Sequence, residues 1–242
     1  MINRYAHPPY RKKRLSKSVR QTKHANAGLP ETAYDHTFKN SATSFNAERA
    51  FKSSSQYCSH YAACRFRSIN LIIRGPRHSG KTYLLHCIAN DFISYDIPVL
   101  FVDESDLLEK LFFAKTSPTT FLEIELMRYK TAQVLILDNL GSSLHYAQRD
   151  EDINNPRNWR TDVYKRISIL GELFAFRKKY NLPTIVSTEL LHFNSFYSDP
   201  PKSPIDAAIE NSIVRPLRIF AEQCELWERS PENTSTTPNK KG

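Results

Sequence analysis

Residues Gly75-Pro76-Arg77-His78-Ser79-Gly80-Lys81-Thr82 form an uninterrupted G-x-x-x-x-G-K-T run. Such a run has the chemistry to hold a polyphosphate. Its glycines let backbone N–H groups turn toward phosphate oxygens, and a helix starting at the lysine adds the positive end of its dipole. Lys81 would neutralise the β- and γ-phosphates and the Thr82 hydroxyl would hold Mg²⁺. A magnesium ion there needs a second protein oxygen, and Asp138, closing the apolar run Val134-Leu135-Ile136-Leu137, has the type and position to supply it. The next residue is Asn139, where an acid would ordinarily polarise the attacking water. An amide orients water but takes no proton, so the sequence predicts ATP binding with slow hydrolysis.

These residues need a strand in front of them and a helix behind. Leu71-Ile72-Ile73 reads as a short buried strand, and Leu84, Leu85, Ile88, Ala89, Phe92 and Ile93 repeat at helical spacing after the loop. Pro98-Val99-Leu100-Phe101-Val102 gives a second strand, followed by a helix bearing Leu107, Leu108, Leu111 and Phe112 and another over residues 119–129. The run 134–137 is continuously apolar, as a strand buried on both faces should be. A fourth strand is expected at 183–187 and a fifth at 224–227, with helices over 46–65 and 161–180 and a long polar loop over 141–160. Strands alternating with helices predict an α/β domain, residues 31–229, around a parallel sheet.

Charge and composition limit the partners. The chain has 242 residues and a net charge of +9, and eight of its cations fall in the first 24 residues with no carboxylate among them. With Pro8-Pro9 and no apolar periodicity, residues 1–30 read as a flexible basic arm suited to nucleic acid or an acidic partner. Residues 230–242, rich in Ser, Thr, Pro and Asn, read as a disordered tail. Apolar runs are strand-sized, which excludes a membrane-spanning helix. Cys58, Cys64, Cys87 and Cys224 have neither zinc-site spacing nor disulfide-scaffold density, so a reducing, cytoplasmic compartment is expected.

The phosphate loop, Leu135-Ile136-Leu137-Asp138-Asn139-Leu140-Gly141, a long helix and then Pro183-Thr184-Ile185-Val186-Ser187-Thr188-Glu189 together resemble the DnaC/IstB branch of the AAA+ ATPases. That branch holds bacterial and phage replicative helicase loaders and transposition helper ATPases. The resemblance covers roughly residues 29–228 and implies a P-loop NTPase core of AAA+ type without a C-terminal lid domain. It places residues 34–40, Tyr34-Asp35-His36-Thr37-Phe38-Lys39-Asn40, near the adenine. It puts Glu189 at the first sensor position, where the family usually has Asn, and makes Arg215 similar to the arginine finger that reaches a neighbour's nucleotide. Arg229 would be a second sensor. The implied ligands are ATP and Mg²⁺. The implied partners are a replicative helicase, single-stranded DNA and further copies of the chain, with no membrane. The resemblance implies a helicase loader switched by ATP; the alternatives are a transposition helper ATPase and a non-hydrolysing nucleotide-binding adaptor.

Overall fold

The short apolar runs become the strands of one sheet. The computed structural model describes residues 15–40, 45–115, 119–144, 156–190, 204–218 and 221–225. Strands β1 (Asn70–Arg74), β2 (Val99–Asp103), β3 (Val134–Leu140), β4 (Thr184–Thr188) and β5 (Ala221–Glu225) are all parallel, in the order β2-β3-β4-β1-β5. Parallel strands end at one common edge, so the loops that follow them gather there. Because β4 lies between β1 and β3, the phosphate loop and Asp138 face each other across its C-terminal end.

Side chains of the central strands alternate between two cores. Leu71, Ile73, Val134, Ile136 and Ile185 pack beneath α2 (Phe45–Ser59), α3 (Tyr61–Phe66) and α4 (Lys81–Ser94). Ile72, Leu135, Leu137 and Val186 pack beneath α5 (Glu104–Lys115), α6 (Thr119–Thr131) and α7 (Pro156–Lys179). Covering both faces is what makes these strands read as unbroken apolar runs. The expected α/β architecture is therefore present.

Several expected boundaries move. The arm expected over residues 1–30 gives way at Lys17–Asn26 to a helix, α1, capped by Ser16, whose hydroxyl accepts from the Val19 amide at 3.4 Å. His24, Ala27 and Leu29 are buried, and the Phe101 amide of β2 donates to the Ala27 carbonyl at 2.7 Å. Its cations are outward: Lys23 pairs with Asp96 at 2.6 Å and the Arg20 guanidinium lies over the Tyr34 ring. Small and aromatic side chains thus replace the apolar stripe that periodicity looks for. The helix expected over 46–65 breaks at His60 into α2 and α3. The loop expected over 141–160 loses both ends, because β3 runs on to Leu140, Gly141, Ser143 and Leu144 are buried, and Pro156 opens α7, proline being well suited to a first helical turn. The fifth strand lies upstream of its expected place, at Ala221–Glu225. Residues 1–14, Arg229 and the tail 230–242 lie outside the described residues.

Candidate nucleotide-binding site

β1 runs into the phosphate loop and α4 begins at Lys81. Gly80, the residue before it, has φ 91°, and His78 has φ 61°. A Cβ on Gly80 would meet nothing within 4 Å, so glycine is needed here for its left-handed backbone rather than for room. The Lys81 side chain is only 5 % exposed. Its ammonium donates to the Gly75 carbonyl at 2.9 Å, the Pro76 carbonyl at 2.6 Å and Glu189 Oε1 at 3.1 Å. Three donors meet three acceptors, so an incoming phosphate must displace one of them. Glu189, with a side chain 42 % exposed, is the acceptor free to leave. Inside the same loop the buried Ser79 hydroxyl has no hydrogen-bond partner, an orphan that a phosphate oxygen would satisfy.

Across β4, a bulge in β3 between Leu137 and Leu140 takes Asp138 and Asn139 out of the ladder with β4, while Asp138 keeps its register with β2. Asn139 takes φ 56°, a conformation that Asn tolerates better than most residues. Thr82 Oγ1 donates to Asp138 Oδ2 at 2.7 Å, bringing together the two groups expected to hold magnesium. The other carboxylate oxygen of Asp138 accepts from the Ser187 hydroxyl of β4 and from the Asn139 amide. Among the described residues no three His, Cys, Asp or Glu side chains cluster as a metal site. One hydroxyl plus one carboxylate suits Mg²⁺, which keeps several waters and shares its coordination with substrate phosphates.

Two acids absent from the expected site complete this edge. Asp103, the last residue of β2, is in register with Asp138 and accepts from Asn139 Nδ2 at 2.7 Å. Glu104, fully buried, accepts from the Gly141 amide and from the Ser143 hydroxyl, pinning the turn that leaves β3. Ser187, likewise absent from the expected site, orients Asp138. The available signal was an acid closing an apolar strand, the signal that identifies Asp138 itself.

The resulting cleft, about 820 Å³, is lined by Arg77, His78, Gly80, Lys81, Thr82, Asp103, Asn139 and Glu189 among others. Next to Thr82, the segment 34–40 brings His36 within 4.3 Å of the Tyr83 ring, centroid to centroid, and Phe38 edge-on to Phe51. Arg215 is not part of the cleft lining. It opens the short helix α8 (Arg215–Arg218) after the π-helical turn Glu210–Val214, its side chain 68 % exposed and 4.0 Å from Glu210.

The sequence matches the family model of the IstB-like ATP binding proteins over residues 13–153, more than half the chain. Among solved structures, DnaI is 21% identical with a TM-score of 0.56, over 88% of this chain and 94% of that one. The DnaC helicase loader is 15% identical with a TM-score of 0.56, over 81% and 99%. A putative primosome component from Streptococcus pyogenes serotype M3 is 16% identical with a TM-score of 0.58, over 88% and 97%. At such identities the likeness is one of fold, that of a P-loop AAA+ ATPase domain. No curated protein matches the chain.

Proposed function

The chain belongs to the IstB-like ATP binding proteins, and from that premise we propose that it is a cytoplasmic helicase loader of DNA replication, switched by ATP. The observation that carries the nucleotide part is the convergence of Lys81, Thr82 and Asp138, with Thr82 and Asp138 already 2.7 Å apart. On binding, the triphosphate replaces Glu189 on the Lys81 ammonium and takes up the Ser79 hydroxyl, while Gly75 to Gly80 wrap it with backbone N–H groups. Thr82 and Asp138 would hold Mg²⁺, which neutralises phosphate charge. The aromatic group of His36, Phe38, Phe51 and Tyr83 would pack against the adenine.

Likeness of fold to the DnaC helicase loader and the basic N-terminus support loading of a replicative helicase onto single-stranded DNA. The exposed Arg215 is suited to reach a neighbouring subunit's nucleotide, so that ATP governs self-association. The family match also favours a second reading, a transposition helper that delivers a transposase instead. Which protein is captured from the host in the presence of ATP decides between the two.

Titration with a fluorescent ATP analogue tests the site. Lys81→Ala should weaken binding about a hundredfold, since charge-assisted bonds of ~1.5–3 kcal/mol are lost, with the circular dichroism spectrum unchanged. Equal affinity would remove the nucleotide assignment. In the same preparation Arg215→Ala should keep its affinity and lose ATP-dependent sedimentation as an oligomer.

A further inference from the structure

With Asn139 in place of an acid, the site has no proton acceptor directly after Asp138. The neighbouring strand brings one to it. Asp103 ends β2 in register with Asp138, lines the same cleft as Lys81 and Thr82, and accepts a 2.7 Å hydrogen bond from Asn139 Nδ2. The β3 bulge and the positive φ of Asn139 are what aim that amide across to β2.

We propose that Asp103 is the general base of ATP hydrolysis, an inference that rests on the nucleotide-site reading above. Two of the other acids at the edge, Asp138 and Glu104, are committed. Asp138 accepts from Thr82, Ser187 and the Asn139 amide. Glu104 is fully buried and holds Gly141 and Ser143. Glu189 is paired with Lys81 until the triphosphate displaces it, and it is Asp103, not Glu189, that the Asn139 side-chain amide contacts. Asp103 has Oδ1 on the Ser105 amide at 2.8 Å and Oδ2 on Asn139, each oxygen keeping acceptor capacity.

Asn139 gives its N–H to Asp103 and keeps its carbonyl oxygen for one hydrogen of the attacking water. Asp103 takes the other hydrogen as a proton. The water oxygen then bonds to the γ-phosphorus while the bridging bond to the β-phosphate breaks, and ADP leaves with that electron pair. The proton passes from Asp103 to solvent or to the released phosphate. The proton-accepting and water-orienting roles that one acid would otherwise combine are divided between two adjacent strands.

A purely structural role for Asp103 is to cap α5 through the Ser105 amide, and Asn and Ser both keep that cap. The test compares native protein with Asp103→Asn, Asp103→Ser and the exchanged pair Asp103→Asn with Asn139→Asp. Aspartate suits the left-handed position at 139, unlike glutamate, so the exchange moves the carboxylate without forcing the bulge. Binding is read with a fluorescent ATP analogue, chemistry by single-turnover phosphate release, and folding by thermal melting. Both single variants should melt and bind like native protein and release phosphate about a hundredfold more slowly, within the range for loss of a general base. The exchanged pair should recover at least tenfold of that loss. Native turnover in Asp103→Asn, a loss that the exchange leaves unrecovered, or native protein that binds ATP and releases no phosphate would each overturn the proposal. Failure of native protein to bind ATP would instead overturn the nucleotide-site reading, and this inference with it.

Discussion

Glu104 and His86 place opposed pH dependences in one fold. Burial pushes the Glu104 carboxyl up to about 7 from 4.5, against the hydrogen bonds from Ser143, Gly141 and Ser142 that favour its charge. Burial, aided by the charges of His36 and His24, holds His86 down at about 4 against an ordinary 6.5. Between pH 4.5 and 7 folded Glu104 binds more protons than unfolded Glu104, so its contribution to stability is lost as pH rises through that window. Between pH 6.5 and 4 unfolded His86 binds more protons than folded His86, so its contribution is lost as pH falls. The Glu104 shift corresponds to roughly 3 kcal/mol, and over the shared interval the His86 shift opposes it in the native protein. Glu104→Gln removes one side of that balance while keeping one acceptor for Gly141 or Ser143. Urea unfolding at stepped pH should show the native protein's stability relative to the variant's falling by roughly 3 kcal/mol from pH 4.5 to 7. A pH-independent difference would mean that Glu104 titrates normally.

Secondary-structure elements decide which residues were legible from sequence. The phosphate loop and Asp138 are local patterns, so type and spacing sufficed to select them. The Asn139–Asp103 pair joins residues 36 positions apart and exists only because β2 and β3 are neighbours in a given register, which no local pattern encodes. α1 was missed for a related reason, since it is anchored through a backbone bond to β2 and a buried histidine rather than through an apolar stripe. Arg177 shows the same limit in the core. By type it belongs with Lys178 and Lys179 as helix-end surface charge, yet it continues the inward row Val163, Ile167, Leu170 and Phe174 of α7 and is 1 % exposed. Burial lowers its pKa to about 10, leaving it a cation at neutral pH. It donates to the carbonyls of Tyr129, Ala132 and Pro183 and to the Thr184 hydroxyl, fastening α7 to the end of α6 and the start of β4. Arg177→Ala should therefore cost about 3–5 kcal/mol in urea unfolding, because several buried acceptors lose their donor together. A loss below about 1 kcal/mol would show that water replaces the guanidinium without penalty.

At the scale of the whole molecule, the basic N-terminus divides into two parts that deletion can test separately. Residues 1–14 hold five of the eight N-terminal cations, and the other three, Lys17, Arg20 and Lys23, ride on α1, which the fold uses structurally. A truncation at residue 24 would cut through α1 and confuse binding with folding. Two deletions avoid this. Removing residues 1–14 should leave the melting temperature unchanged, whereas removing residues 1–28 also strips the buried His24 and Ala27 and the Phe101–Ala27 bond, costing about 2 kcal/mol or more. If residues 1–14 bind single-stranded DNA directly, the shorter deletion should flatten the logarithmic salt dependence by about 0.7 for each phosphate that those cations neutralise. If they instead dock on a helicase, that deletion should abolish helicase capture and change the salt slope by less than about 1. We expect docking to dominate: α1, which follows residues 1–14 in sequence, is fixed to β2 through the Phe101–Ala27 bond, so a partner that grips those residues would be held to the core through α1. A salt series of DNA binding run beside helicase capture on native protein and the shorter deletion decides the matter. Loss of DNA binding with capture retained would reassign residues 1–14 to nucleic acid, and retention of both would leave the cations without a partner.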